Sequence, residues 1–438
     1  MASKAIKNPL FHQISTRGFA QAAPALKREV KFQSAVLPNK TVVAAVDNGS
    51  PLTRVTVAFK AGSRYEPANE LGLTHVLRSA AGLTTKSAYS YIISRKLQQL
   101  GASLSASGDR EFIFYTLETT QEHILEAVEH MKSLISGQEF RPWELADNQP
   151  RLNFDIVSLS PQVRAVDLLH KAAFRRGLGN SLFVSPKKLG AISSESLQHF
   201  AATHLTADRC AIAVVGDNLD RAKLIAQGLE LGSSGADTED SAPYYGGDLR
   251  KEMGGELAHV AMALPGAAAG GAQALALAVA AKALGNGPVT KWGADRSVLA
   301  RALGDLGPCA AAGLSAAYCG AGLLGGVLSV PKDEAHKAVK AMGNLLKNPS
   351  LSDAAITSGK NLLKVQLLSE AESGDLLSEG LAAQGLGSGT VRSPQDWAAA
   401  VDKISASDVK SAVAEAAKGK LSVGAAGNLS NVPYSDEL

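Results

Sequence analysis

The sequence predicts an α+β chain made of two homologous halves, each a mostly antiparallel sheet with helices packed on one side. Three observations predict it. Short runs with apolar residues at every second position lie close together as hairpins. Longer segments with apolar residues at helical spacing separate them. A set of landmarks then recurs roughly 200 residues later, a distance of domain size rather than of a solenoid repeat.

The first half opens with a hairpin: Lys31 to Leu37, a turn at Pro38-Asn39-Lys40, and Thr41 to Asp47. A third strand, Arg54 to Ala61, alternates Val55, Val57 and Phe59 with Arg54, Thr56 and Lys60, the pattern of a sheet with one buried face. Gly62-Ser63-Arg64-Tyr65-Glu66 reads as a loop, and Leu71 to Ala81 as a helix. Glu122 to Ser136, Arg141 to Leu159 and Pro161 to Phe174 are helical by period. Ser193-Ser194-Glu195-Ser196 before Leu197 supplies a capping signal for a further helix, and Ala211 to Val215 is a strand ending at Gly216.

From Gly232 to Gly255 the composition shifts to Ser, Gly, Asp and Glu, which reads as a linker. Beyond it the pattern returns. Ser405 to Leu429 repeats Ser193 to Leu219: a Ser-rich helix start, a helix, and a strand closed by Gly-Asp-Asn-Leu in one case and Gly-Asn-Leu in the other. Gly216 and Gly427 are 211 residues apart, and Val55 to Phe59 lies 204 residues before His259 to Ala263. The predicted domains are therefore 30–231 and 256–438, joined by 232–255.

Composition excludes several functions. With 44 basic and 41 acidic residues in 438, the formal charge of +3 gives no reason to expect a nucleic-acid partner. Cys210, Cys309 and Cys319 form no C-x-x-C pair, so they read as buried small hydrophobes in a reducing compartment. They are too few for an iron–sulfur cluster, and no C-x-x-C-H holds a haem, so no redox cofactor is expected. The Ala- and Gly-rich run from Leu257 to Leu284 is interrupted by Pro265 and reads as a strand and a buried helix rather than a membrane span. No G-x-S-x-G or G-x-x-x-x-G-K-[ST] motif occurs.

Met1 to Arg28 contains no acidic residue but carries Lys4, Lys7, Arg17, Lys27 and Arg28 among many Ser and Ala, the composition of a mitochondrial transit peptide. Arg17-Gly18-Phe19 before Ala20 looks like a matrix processing site, so the expected transit peptide is 1–19. Ser435-Asp436-Glu437-Leu438 lacks the Lys or His that begins an endoplasmic retention signal and conflicts with that leader.

The informative segment is Ala61 to Glu66 followed by Leu71-Gly72-Leu73-Thr74-His75-Val76-Leu77-Arg78-Ser79-Ala80. It resembles the strand, loop and H-x-x-E-H helix of the pitrilysin-type zinc peptidases, in which two imidazoles bind zinc and the Glu acts as general base on metal-bound water. His75 falls at the first ligand, Arg78 at the catalytic Glu and Ser79 at the second ligand. The third ligand of active relatives, a Glu roughly 75 to 80 residues further on, lands in Leu152-Asn153-Phe154-Asp155-Ile156, which has no Glu. With one of three motif residues left and a guanidinium in place of the carboxylate, the resemblance implies an inactive member with neither metal nor cofactor.

Arg141 to Ala146, His170 to Arg175, Asn180 to Leu182 and Gly427 to Leu438 look like the family's non-catalytic members in the respiratory ubiquinol–cytochrome c reductase. That resemblance implies two peptidase-like halves forming a bowl, and a scaffold role in complex III. It also implies pairing with a second core protein and with other subunits of a dimeric complex, and a peripheral place on the matrix side of the inner membrane. The alternative is a subunit of the mitochondrial processing peptidase, as a presequence binder or as the metalloendopeptidase itself. The long glycine-rich loop of the presequence-handling relatives has a shorter, glycine-poor counterpart here, Leu284 to Gly293, which argues against that role.

Overall fold

Phe32–Val36 (β1) and Val42–Val46 (β2) pair antiparallel across the turn at Pro38 to Lys40. The computed structural model describes residues 30–233, 242–285, 297–304, 306 and 308–438. The first half continues with Leu52–Phe59 (β3), Leu73–Ser79 (α1), Ser90–Gln99 (α2), Ser103–Gly108 (β4), Ile113–Thr120 (β5) and Ile124–Ser136 (α3). Then follow Pro142–Asp147 (α4), Gln149–Val157 (α5), Pro161–Phe174 (α6), Ser194–His204 (α7), Cys210–Val215 (β6) and Leu219–Gly228 (α8). The second half runs Gly247–Glu252 (β7), Leu257–Gly266 (β8), Ala272–Leu284 (α9), Val298–Leu303 (α10), Ala310–Tyr318 (β9) and Ala321–Pro331 (β10). It ends with Ala335–Lys347 (α11), Asp353–Glu372 (α12), Gly374–Ser388 (α13), Pro394–Lys403 (α14), Ala406–Ala417 (α15) and Ser422–Gly427 (β11).

The strand order is β1-β2-β6-β3-β5-β4 in one sheet and β7-β11-β8-β10-β9 in the other. The second order is the first without β1. In each sheet one parallel pair, β2 with β6 or β7 with β11, interrupts an otherwise antiparallel ladder. The duplicated glycines do one job twice. Gly216 has φ 94° and Gly427 φ 109°, and a Cβ on either would strike a backbone oxygen, that of Leu52 at 2.3 Å or of Leu257 at 2.5 Å. Those two oxygens belong to the first residues of β3 and β8, so the repeat preserves a strand exit that only glycine fits.

Each half's main core forms between one face of its sheet and its own helices. Val43, Val55, Val57, Phe59 and Val214 meet Leu73, Leu77, Ile124 and Met131 in the first half; Val260, Met262, Leu328 and Val423 meet Val279, Val339 and Val413 in the second. The opposite face of each sheet receives one helix from the other half. Ala165, Leu169 and Ala173 of α6 pack on Ala261, Ala263 and Ala426 of the second sheet, and Leu381 and Ala382 of α13 pack on Ala44, Val46, Ala58 and Ala213 of the first. Burial on both faces explains why β2 and β6 are continuous apolar runs rather than alternating ones.

This exchange changes the reading of β3, whose polar residues do not face water. Thr56 is fully buried under α13, where its hydroxyl donates to Ser378 Oγ at 2.8 Å and lies 3.0 Å from the Thr116 hydroxyl. Arg54 reaches across to Asp375 at 3.0 Å and to Glu118 at 2.9 Å. Two further expectations are corrected. The helix read from Arg141 to Leu159 is two helices meeting at Asn148, where Pro150 in the first turn of α5 starts a new segment. The segment read as a linker, 232–255, contains β7, whose Asp248 to Lys251 pair with Val423 to Ala426 of β11. Among the described residues no helix is long and apolar enough to cross a membrane.

Candidate functional site

Helix α1 carries the degenerate motif, and its start is fixed by a buried carboxylate. Glu66 Oε2 accepts from the Gly72 N–H at 2.8 Å, and Oε1 accepts from the Thr74 N–H and hydroxyl at 2.8 and 2.6 Å. These donors lie at the amino end of the helix, where an anion is favourable. Burial nevertheless raises the Glu66 pKa, the hydrogen bonds opposing it. Gly72, at φ 97°, lets the chain turn into α1 against Val184, whose Cα would sit 2.4 Å from any Cβ there.

His75 lies in the wall between α1 and the loop after α6. It is buried, accepts at Nδ1 from the Val184 N–H at 3.3 Å, and meets the Phe183 ring edge-on with centroids 5.5 Å apart. Its Nε2 faces Asp155 Oδ2 at 3.7 Å. Burial first, and then the nearby Arg78 charge, lowers the His75 pKa to about 4, with Asp155 pulling the other way. The imidazole is therefore neutral near pH 7, so its contact with Asp155 is not an ion pair under those conditions.

Arg78 and Ser79 are tied into the fold. The Arg78 guanidinium donates to the Leu182 carbonyl at 2.9 Å, the Thr74 carbonyl at 3.3 Å and the Gly108 carbonyl at 3.4 Å. One side chain thus joins α1 to the end of β4 and to the 182 loop. Ser79 accepts from Asn148 Nδ2, at 2.8 Å to its hydroxyl and 3.2 Å to its carbonyl, so the break between α4 and α5 is anchored on Ser79. A guanidinium has no lone pair with which to take a proton from water, and its charge opposes a cation beside it. Among the described residues no group of three or more His, Cys, Asp or Glu side chains comes together as a metal site would require.

The sequence reading placed His75, Arg78 and Ser79 on one helix, and the structure does so. It missed Asp155. The search for a Glu in 152–156 passed over the shorter carboxylate that α5 brings to His75. It also missed a polar cluster joining the halves. Arg64 and Glu111 form a buried ion pair at 2.6 Å; Arg64 donates to the Cys319 carbonyl at 2.8 Å and Glu111 accepts from the Cys319 N–H at 3.0 and 3.1 Å. Beside it, Arg110 pairs with Asp167 at 2.7 Å, and His170 Nε2 lies 2.9 Å from the Tyr318 hydroxyl. The only sequence signal was the presence of Arg110-Glu111 and Tyr318-Cys319 at matching hairpin tips of the two halves.

Cys319, expected to be buried, is exposed on the turn between β9 and β10; Cys210 is buried and Cys309 intermediate, and all three are free thiols. The transit peptide read at 1–19 and most of the loop Leu284 to Gly293 lie outside the described residues.

Comparison with known proteins places this geometry. The profile of the family described as Insulinase (Peptidase family M16) matches residues 41–185, and that of the Peptidase M16 inactive domain matches residues 191–351. The chain is 33% identical to the mitochondrial cytochrome b-c1 complex subunit 2 of Homo sapiens over 95% of this chain and 93% of that protein. It is 30% identical to the subunit 2 of Cryptococcus neoformans over 96% of this chain and 97% of that protein. The mitochondrial-processing peptidase subunit alpha of Solanum tuberosum is more distant, 25% identical over 98% of this chain and 88% of that protein. A two-sheet fold with a repeated strand order, two family profiles along one chain and full-length likeness to such relatives establish that the chain belongs to the insulinase, or M16, peptidase family.

Proposed function

We propose that the chain is a non-catalytic core scaffold subunit of mitochondrial respiratory complex III, supporting the assembly and stability of the complex that passes electrons from ubiquinol to cytochrome c. The observation that carries this reading is Arg78. It occupies the general-base position of an otherwise preserved family fold and bonds to three carbonyls there, so the altered residue serves the architecture. The full-length likeness to proteins named cytochrome b-c1 complex subunit 2 supports the same assignment, which corresponds to core protein two.

In this reading His75, Arg78 and Ser79 are structural residues, and the chain holds no metal and no cofactor. Segments 30–231 and 256–438 are two peptidase-like domains, and the segment between them, 232–255, adds β7 to the sheet of the second. The partners are core protein one and other subunits of a dimeric complex, with no nucleic acid. Residues 1–19 direct import, and the chain sits on the matrix side of the inner membrane, attached through partners.

The test is native gel electrophoresis of detergent-solubilised mitochondria with detection of this chain. Co-migration with cytochrome b and cytochrome c1 is expected; a chain found only as a free monomer would overturn the proposal. The likeness to a processing-peptidase alpha subunit supports a second reading, a presequence-binding subunit. It predicts co-migration with a peptidase partner and affinity for basic amphipathic peptides instead.

A further inference from the structure

The turn after α6 holds an arginine in a conformation that disfavours side chains. Arg175 has φ 62° and ψ −46°, and the Arg176 N–H donates to the Phe174 carbonyl at 2.7 Å. This is a γ-turn with a positive φ at its centre, rare and strained for any residue with a Cβ. Glycine would hold the turn without that strain. Strain of this kind persists where something else profits from the side chain's position.

The turn delivers Arg175 to the rim of a cleft of about 630 Å³, lined by the loop that precedes α1, the turn after α6, and the segment leading into β7. A small organic molecule fits such a volume. Among the described residues its charges are unbalanced. Arg64 at its wall is compensated by Glu111 at 2.6 Å, and both oxygens of Glu66 are engaged by the start of α1. His204 is held neutral near pH 7, its pKa lowered to about 4 by burial and by the Arg209 charge. Arg175 lies over the Tyr245 ring, 4.8 Å from its centroid, and forms no ion pair among the described residues. Arg176 is exposed and likewise has no ion pair among them. Pro67, Leu71, Phe174 and Pro243 give the cleft an apolar wall.

We propose that this cleft is an anion-binding site for a small organic molecule, with Arg175 and Arg176 holding a phosphate or carboxylate head and the apolar wall taking the remainder. The strained turn positions the first guanidinium, and the aromatic face of Tyr245 orients it.

The test is calorimetric titration of the full chain with pyrophosphate and with citrate at constant ionic strength, alongside thermal unfolding. Saturable binding of at least one probe is expected, and which one binds distinguishes phosphate from carboxylate. Arg175→Gly should raise the melting temperature without ligand, because the strain is relieved, and weaken binding by about tenfold or more. Arg176→Gln should weaken binding and leave the melting temperature unchanged. The proposal is overturned if neither probe saturates, if both variants bind as the parent does, or if Arg175→Gly lowers the melting temperature, which would make the guanidinium a purely structural group.

Discussion

The exchange of α6 and α13 between the halves rests on close backbone approach, and Gly424 is the point where it can be broken. A Cβ at Gly424 would lie 2.3 Å from the Ala165 carbonyl oxygen, 2.3 Å from the Leu169 nitrogen and 2.7 Å from the Leu169 Cα. Real Cβ contacts do not fall below 3.0 Å. The obstructing atoms are helix backbone and cannot rotate aside, so Gly424→Ala must push α6 off the sheet by about 0.7 Å and loosen Ala165, Leu169 and Ala173 from Ala261 and Ala426. Overpacking of this kind costs about 1–3 kcal/mol. Gly380, within α13, provides the control: nothing lies within 4 Å of its added Cβ, so Gly380→Ala should stabilise by about 0.5–1 kcal/mol through helix propensity alone. Urea unfolding followed by circular dichroism measures both, and hydrogen exchange in α6 reports the local loosening. A Gly424→Ala protein within about 0.5 kcal/mol of the parent, with α6 equally protected, would refute the account of the exchanged helices.

Three further outcomes are expected. Arg78→Met removes the donor shared by the Leu182, Gly108 and Thr74 carbonyls and should cost about 1–3 kcal/mol in chemical unfolding, with Arg78→Lys in between. Arg64→Met or Glu111→Gln alone breaks a buried ion pair by removing one partner and should cost about 3–5 kcal/mol, whereas removing both charges together should cost less than the sum; additive single losses in the double-mutant cycle would show that the pair does not act as a unit. His75 should make stability pH-dependent. Its folded pKa, about 4, lies below the ordinary 6.5, so its contribution is present above pH 6.5 and is lost as pH falls towards 4. Glu66, raised by burial, acts in the opposite sense. Unfolding free energies across that range should fall with acid in the parent and less steeply in His75→Gln; identical slopes would count against the burial argument.

What the sequence disclosed follows from how locally each feature is encoded. The duplication was legible because Gly216 and Gly427 answer the same local steric demand at the end of a strand. The repeated helix start at Ser405 was legible because it is local: Ser405 and Asp408 bond reciprocally within one turn at the beginning of α15. β7 was hidden because an edge strand of Gly, Asp, Leu, Arg, Lys and Glu has no alternation of its own and takes its form from β11. The role of Thr56 was hidden for a similar reason: a threonine reads as solvent-facing until a helix more than 300 residues away supplies Ser378. In the candidate site, residues on one helix could be placed by spacing. Asp155 and the Arg64–Glu111 clamp on Cys319 could not, because their meeting is set by the packing of separate elements.

The central claim is that a peptidase fold serves here without peptidase chemistry, and it is tested most directly by metal content and presequence cleavage of the assembly purified through this chain. The account predicts complex III subunits in the preparation, no zinc that depends on His75 or Asp155, and no cleavage attributable to this chain. Stoichiometric zinc lost on His75→Ala or Asp155→Asn, together with cleavage lost in the same variants, would contradict it.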